Sequence, residues 1–217
     1  GCNNIKLLAE LGLIQQAKLY ALNTDIISKQ QNGIAYIQLG ENTTKGFIRG
    51  VRLRGNFSGT SQNIASPCKI IIDEATTLNF SEELCLISKD KVIARRGLNL
   101  FGKDVTLKAP NRVIIQDNAT IDLSGDLTLH SHGPTEESRA HIRHSANVKV
   151  NNLTLRGLYR STLGKESTYE AQGKISVFST GEERPTDEDI SEWSTVWRDT
   201  TIQADEFEAR ALWRVKV

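Results

Sequence analysis

The fold is decided by residues 92–129, which read VIARRGLNLFGKDVTLKAPNRVIIQDNATIDLSGDLTL. Five apolar pairs recur in this stretch, and one residue separates the two members of each pair. The pairs are Leu98/Leu100, Val105/Leu107, Val113/Ile115, Ile121/Leu123 and Leu127/Leu129. Because successive side chains of a strand point to opposite faces, both members of a pair face the same side. Gly, Asp, Asn and Pro lie between the pairs and favour turns. The stretch therefore predicts short strands joined by tight turns.

The strand–turn unit repeats in threes. Leu98 leads to Ile121 after 23 residues, Val105 leads to Leu127 after 22, and upstream Ile70 leads to Val92 after 22. Such a period predicts a solenoid in which three strands make one coil, and each strand pairs in parallel with its equivalents in neighbouring coils. We predict an all-β fold, a right-handed parallel β-helix with about 20–23 residues per coil and about eight or nine coils.

The chain is predicted to be a single β-helix domain, residues 1–217. The absence of Met and the strand-like ending LWRVKV indicate a piece of a longer protein. Two polar segments, near residues 130–145 and 181–196, are predicted to be insertions between coils. Residues 3–22 fit either an amphipathic helix or strands, and the repeat period favours strands from about Gly12 onward.

Composition excludes several classes of protein. The net charge is +1, with 27 basic and 26 acidic residues interspersed, so no basic run predicts nucleic-acid binding. No apolar run is long enough to predict a membrane-spanning helix. Hydrophobic residues make up 38% of the chain and aromatic residues only 6%, which suits a narrow core of stacked aliphatic side chains.

Two of the three cysteines fall in predicted strands. Cys68 alternates with Ile70 and Ile72 and is expected to face inward, whereas Cys85 lies between Leu84 and Leu86 and is expected to face outward. Opposite orientations make a disulfide between the two cysteines unfavourable.

All four histidines lie within fifteen residues: His130, His132, His141 and His144. His130 and His132 should project outward together, and neutral imidazoles at such spacing can share a Zn²⁺ ion. His141 and His144, with Glu136 or Glu137, could complete the ligand shell. The alternatives are an exposed polar loop without metal and a loop whose charge responds to pH near neutrality. The spacing matches no firm metal motif, so we assign no metal, cofactor or catalytic residue from the sequence.

Aspartates and tryptophans provide the other candidate sites. A polysaccharide-cleaving β-helix would place two or three carboxylates on one outward face, and the candidates here are Asp104, Asp117, Asp122 and Asp126. Aspartates at corners are more often turn formers. The tryptophans Trp193, Trp197 and Trp213 lie near the C-terminal end, where they either close the solenoid or form an exposed platform for a sugar or a protein.

Three segments resemble repeats of filamentous-haemagglutinin-like exoproteins, the passengers of bacterial two-partner secretion. They are GLIQQAKLYALNTDIISKQQNGIAYIQ (12–38), KDVTLKAPNRVIIQDNATIDLSGDLTL (103–129) and TTIQADEFEARA (200–211). The resemblance implies a right-handed β-helix on the bacterial surface or secreted from it, a partner pore for secretion, and a role in adhesion. It carries over no catalytic motif.

We therefore expect a structural and adhesive segment that binds a protein or glycan on a host or neighbouring cell, rather than an enzyme. One alternative is a polysaccharide-processing β-helix or tailspike-like protein. The other is a spacer that presents a distal toxin or receptor-binding region. If the chain carries an activity, we expect it in the two insertions, because the repeats themselves look like scaffold.

Overall fold

The computed structural model describes residues 6–9, 23–29, 34–39, 50–66, 68–134, 137–179, 193–211 and 214–216. These residues form strands and turns, and none of them belongs to an α-helix. Accordingly, this part of the chain contains no helix that could cross a membrane.

The strands are β1 Lys6–Ala9, β2 Asn23–Lys29, β3 Ile34–Leu39, β4 Gly50–Arg54, β5 Asn56–Ser66, β6 Ile70–Ile72, β7 Thr77–Ser88, β8 Lys91–Ala94, β9 Asn99–Ala109, β10 Arg112–Ile115, β11 Thr120–Leu123, β12 Leu127–Ser131, β13 Arg139–Ile142, β14 Asn147–Val150, β15 Leu153–Arg156, β16 Arg160–Leu163, β17 Thr168–Ala171, β18 Lys174–Ser179, β19 Trp193–Val196, β20 Thr201–Gln203, β21 Glu206–Ala211 and β22 Arg214–Lys216.

The strands make two sheets. The first sheet has the order β1-β3-β2-β4-β6-β8-β10-β13-β16-β19-β22. The second sheet has the order β20-β17-β14-β11-β9-β12-β15-β18-β21, with β7 pairing to β9 and β5 to β7. From β4 onward every pairing is parallel and joins equivalent strands of neighbouring coils. The predicted all-β parallel solenoid is confirmed, with about seven turns.

Strand β9 shows how one coil is built. Its first half pairs with β11, where Leu100 lies opposite Ile121, and its second half pairs with β12, where Val105 lies opposite Leu127. Each later coil therefore has three strands, as the sequence predicts. One of them lies in the first sheet and two lie in the second. The predicted step from Leu98 to Ile121 is wrong, because Leu98 lies just before β9 and this part of the coil is two residues shorter.

Strands β1 and β3 do not add parallel coils, whereas β2 is parallel to β4. Strand β3 is antiparallel to β2, with Ile26 opposite Ile37, and β1 is antiparallel to β3, with Leu7 opposite Ile37. This arrangement accounts for about seven turns instead of the predicted eight or nine. Residues 6–9 are a strand and not a helix, whereas Gly12 and most of the first proposed repeat lie outside the described residues.

The predicted insertion at 130–145 has bounds that are too wide. Strand β13 lies within them and pairs in register with both neighbouring coils, with Ala140 opposite Val113 and Ser161. The step from Arg112 to Arg139 is 27 residues against 21 from Lys91 to Arg112, so the additional residues precede β13 and take it out of the regular period. The last four residues of the second predicted insertion, 193–196, form β19, and residues 181–192 lie outside the described residues.

The core is a set of stacked aliphatic rows. All five apolar pairs of residues 92–129 are buried, with at most 3% of any side chain exposed. Tyr169 is the one aromatic ring among the largest fully buried side chains of the described residues. Serines fill a polar corner, where the hydroxyls of Ser131 and Ser138 lie 3.0 Å apart. Each parallel ladder satisfies the backbone, so outward side chains are free to vary.

Neither Cys68 nor Cys85 forms a disulfide. Cys85 lies between the buried residues Leu84 and Leu86 and points outward, as predicted. Burial raises the pKa of its thiol, with a smaller contribution from Glu83. Cys68 precedes β6 and is partly exposed, so the prediction of a core thiol is wrong.

Candidate functional site

Two of the four candidate carboxylates are parts of a corner. Asp104 Oδ1 accepts a hydrogen bond from the backbone N–H of Asp126 at 2.8 Å. Asp126 Oδ1 in turn accepts from the backbone N–H of Asn152 at 3.1 Å and from its side chain at 2.9 Å. Both carboxylates stabilise turns in successive coils, which is the usual role of corner aspartates.

The other two aspartates lie elsewhere. Asp117 Oδ1 accepts a bond of 3.3 Å from the backbone N–H of His144, and Asp117 Oδ2 lies 3.7 Å from Arg96 Nη2. Asp122 is exposed on the outer face of β11, opposite Phe101 and Lys149. The four carboxylates are thus spread over two corners and one face.

The histidines separate into three places. His130 and His132 point outward from the second sheet, as predicted, with ring centroids 5.4 Å apart. His141 lies on β13 of the first sheet, and His144 lies in the turn after it. Within the described part of the chain, no three His, Cys, Asp or Glu side chains are placed to hold a metal ion. Glu137 pairs with Arg112 instead, and Glu136 lies outside the described residues.

The tryptophans are only partly described. Trp197 is exposed over 45% of its surface, just after β19. Trp193 begins β19, where it lies opposite Arg160, and Trp213 lies outside the described residues. Among the tryptophan side chains that the structure describes, the aromatic platform is represented by Trp197.

A row of cations runs along the outer face of the first sheet. Lys91, Arg112, Arg139 and Arg160 occupy the same position in four successive coils, each opposite the next in the parallel register. We call these four residues the basic row. Since neighbouring strands lie about 4.8 Å apart, the row extends over roughly 15 Å along the solenoid axis.

Two cations of the basic row contact described acidic side chains. Arg112 Nη2 lies 2.6 Å from Glu137 Oε1, and Lys91 Nζ lies 3.8 Å from Asp90 Oδ2. The pKa of Arg160 is lowered by its burial and, secondarily, by the charge of Arg139. The charge of Arg139 thus adds to burial in disfavouring the charged form of Arg160.

A second outward row runs beside the first and consists of Ile93, Ile114, His141 and Thr162. His141 Nε2 and Arg112 Nε are buried and have no hydrogen-bond partner among the described residues. Burial lowers the pKa of His141 to about 3, and Arg160 contributes the largest of the charge effects, followed by Arg139. The imidazole is therefore neutral near pH 7 and adds no repulsion to the row.

Toward the N-terminal end of the same face, three arginines share one carboxylate. The buried Asp73 carboxylate lies 2.9 Å from Arg54 Nε, 3.2 Å from Arg95 Nη1 and 3.6 Å from Arg52 Nε.

Sequence reasoning missed the basic row. Its members are separated by 21, 27 and 21 positions, so they do not form a local run of charge in the sequence. One signal was present, since each cation begins a strand and immediately precedes its first inward residue: Val92, Val113, Ala140 or Ser161. Aligning coils by these inward residues brings the four cations into one column.

The β-solenoid fold is compatible with a structural role, and the site's geometry provides charge and shape rather than an assembled set of reacting groups. No protein-family model, no curated protein and no solved structure matches this chain.

Proposed function

We propose that this chain is an adhesive segment of a secreted or surface-exposed bacterial protein, and that its basic row binds an acidic polysaccharide on another cell. The observation that carries the proposal is the register of Lys91, Arg112, Arg139 and Arg160 on consecutive coils. The resemblance to filamentous-haemagglutinin-like repeats agrees with this role, and a partner pore for secretion is part of the same proposal.

The shape of the row favours a linear polymer. Cations repeated about every 4.8 Å on a rigid axis match a chain of regularly spaced anions lying along the solenoid. Each exposed contact is weak in water, but contacts made by one polymer add as a multivalent interaction. A rigid solenoid holds the cations in place before binding, which reduces the entropy lost on association.

An acidic polysaccharide suits this face better than a nucleic acid does. Single-stranded nucleic acid is held by aromatic side chains on which its bases stack. The row beside the cations consists of Ile93, Ile114, His141 and Thr162, which include no Phe, Tyr or Trp.

The test is binding of immobilised heparin and alginate, two acidic polysaccharides, with neutral dextran as the control polymer. We expect Arg139→Ala to weaken binding by about fivefold or more at low salt, a loss of roughly 1 kcal/mol. Arg156→Ala is the matched control, because Arg156 is outward on the second sheet, opposite His130 and Phe178. Thermal unfolding of both variants checks that folding is intact.

Three results would contradict the proposal. One is equal binding by Arg139→Ala and the unaltered chain. Another is tighter binding of a thymidine oligonucleotide than of either polysaccharide. The third is release of reducing ends from the bound polymer, which would indicate polysaccharide cleavage in place of adhesion.

A further inference from the structure

An open cavity of about 500 Å³ lies beside β19 and β22, at the C-terminal end of the first sheet. It is lined by His144, Lys165, Thr195, Val196, Trp197, Arg198 and Lys216. Its volume falls in the range of pockets that hold small ligands. None of these lining residues belongs to the basic row.

Trp197 provides the cavity with an aromatic surface. Its indole meets the ring of His144 edge-on, with centroids 6.5 Å apart and an interplanar angle of 89°. Lys216 Nζ lies 6.0 Å from the indole centroid, within the distance of a cation–π contact. A partly exposed indole held from two sides offers a rigid surface for the C–H face of a sugar ring.

Positive charge surrounds the indole. Three of the lining residues, Lys165, Arg198 and Lys216, are cationic, and none of the lining residues is acidic. Lys165 Nζ lies 3.3 Å from Glu166 Oε1, and Arg198 Nε lies 3.8 Å from Asp199 Oδ2. These acidic partners are themselves more than half exposed, so their pairing with the cations is weak. The cavity therefore complements an anion.

His144 adds an oriented donor. Its Nδ1 accepts a hydrogen bond of 3.2 Å from the backbone N–H of Lys165. Because Nδ1 accepts this bond, Nε2 is the ring nitrogen left to donate. The cavity thus combines an aromatic surface, three cations and a hydrogen-bond donor.

We propose that this cavity binds one carboxylated sugar, a hexuronate, with its ring against Trp197 and its carboxylate among Lys165, Arg198 and Lys216. The inference rests on the proposed function only in taking the sugar as a unit of the same acidic polysaccharide. Its residues are separate from the basic row, so a single sugar tests the cavity and a polymer tests the row.

The experiment titrates the full 217-residue chain with sodium D-glucuronate. Tryptophan fluorescence and saturation-transfer NMR detect the binding. Binding of a single sugar is expected on the order of millimolar. Trp197→Ala and Lys165→Ala should each weaken it by at least about fivefold, whereas Trp197→Phe should keep part of it because a ring remains. Arg139→Ala should leave glucuronate binding unchanged. Far-UV circular dichroism checks that each variant is folded. If Trp197→Ala unfolds, the Lys165→Ala variant still tests the cavity.

The outcomes separate the two proposals. The cavity inference is overturned if glucuronate gives no saturable signal, if glucose binds equally well, if AMP binds more tightly, or if folded Trp197→Ala and Lys165→Ala bind as the unaltered chain does. Polymer binding that depends on Arg139 would then still support the proposed function. Conversely, glucuronate binding that depends on Trp197, together with polymer binding indifferent to Arg139, supports the cavity and contradicts the basic row.

Discussion

The carboxylate of Asp104 accepts a hydrogen bond from the backbone N–H of Asp126, 22 residues further along the chain. Asp126 does the same for Asn152, whose Oδ1 accepts from the backbone N–H of Lys174 at 2.8 Å. The corner is thus a column of side chains, each of which closes the turn of the next coil. These bonds explain why Asp and Asn occupy this position and why two candidate catalytic carboxylates serve the scaffold.

Replacing Asp126 should weaken the corner. Asp126→Ala removes the acceptor for three bonds, two from Asn152 and one of 3.0 Å from Asn151 Nδ2, and we expect a loss of about 1–2 kcal/mol in the free energy of unfolding. Asp122→Ala is the control, because Asp122 is equally exposed and lies outside this column; we expect a change within about 0.5 kcal/mol. Urea denaturation measures both, and equal midpoints would refute the role of the column.

Gly102 lies where β9 bends between its two halves, and its φ is +131°. A Cβ built there would lie 1.8 Å from the backbone oxygen of Phe80 in the preceding coil. Gly102→Ala should therefore cost more than about 3 kcal/mol or prevent folding.

Gly97 provides the matched comparison for that change. It also has a positive φ, +74°, but the nearest atom to its Cβ would be 3.7 Å away. Gly97→Ala should cost only about 1 kcal/mol, from backbone strain alone. Thermal unfolding compares the two, and a Gly102 variant as stable as the Gly97 variant would show that the coils can separate at this bend.

His141 should make stability fall in acid. Its pKa is about 3 in the folded chain and about 6.5 when unfolded, so the unfolded state binds a proton first as the pH falls. The contribution is fully present above pH 6.5 and is lost progressively between pH 6.5 and pH 3. At pH 4 the loss should be about 1–3 kcal/mol, since the ring is only partly exposed.

The measurement is the pH dependence of unfolding for the chain and for His141→Gln, which should lose less stability between pH 7 and pH 4. His132→Gln is the control. Burial also lowers the pKa of His132, but this ring is exposed and its effect on the pH profile should be much smaller. If all three profiles were parallel, His141 would titrate normally in the folded chain.

Tyr169 is a fully buried aromatic ring of the core, and its hydroxyl accepts a hydrogen bond of 3.0 Å from the backbone N–H of Gly164. Burial raises the pKa of the phenol to about 12. Tyr169→Phe leaves a buried N–H without a partner and should cost about 1–2 kcal/mol. Tyr159→Phe should cost less, because the Tyr159 hydroxyl donates to the carbonyl of Pro134, an exposed residue whose oxygen water can reach. Equal losses in chemical denaturation would contradict this account.

The inward faces of the solenoid were predictable because burial acts on each strand separately. Val105 and Leu107 face the core whatever residues flank them. Their one-residue spacing is therefore enough to predict a strand with this inward face. Strand β13 was missed because its inward pair, Ala140 and Ile142, begins with a small side chain and lies 27 residues after the equivalent pair of β10. The antiparallel pairing of β2 and β3 was missed because apolar alternation is identical for both strand directions.

The sequence by itself determined the strand–turn period, the inward side chains and the parallel stacking of coils, since each follows from contacts that recur every 21 or 22 residues. Only the tertiary structure decided which outward residues meet. Arg112 and Arg139 are 27 positions apart, and unequal coil lengths hide their register until backbone hydrogen bonds between coils align them. The cavity at Trp197 likewise assembles His144, Lys165 and Lys216 from three coils. Local packing sets the scaffold, whereas the binding surfaces depend on contacts between residues distant in the chain.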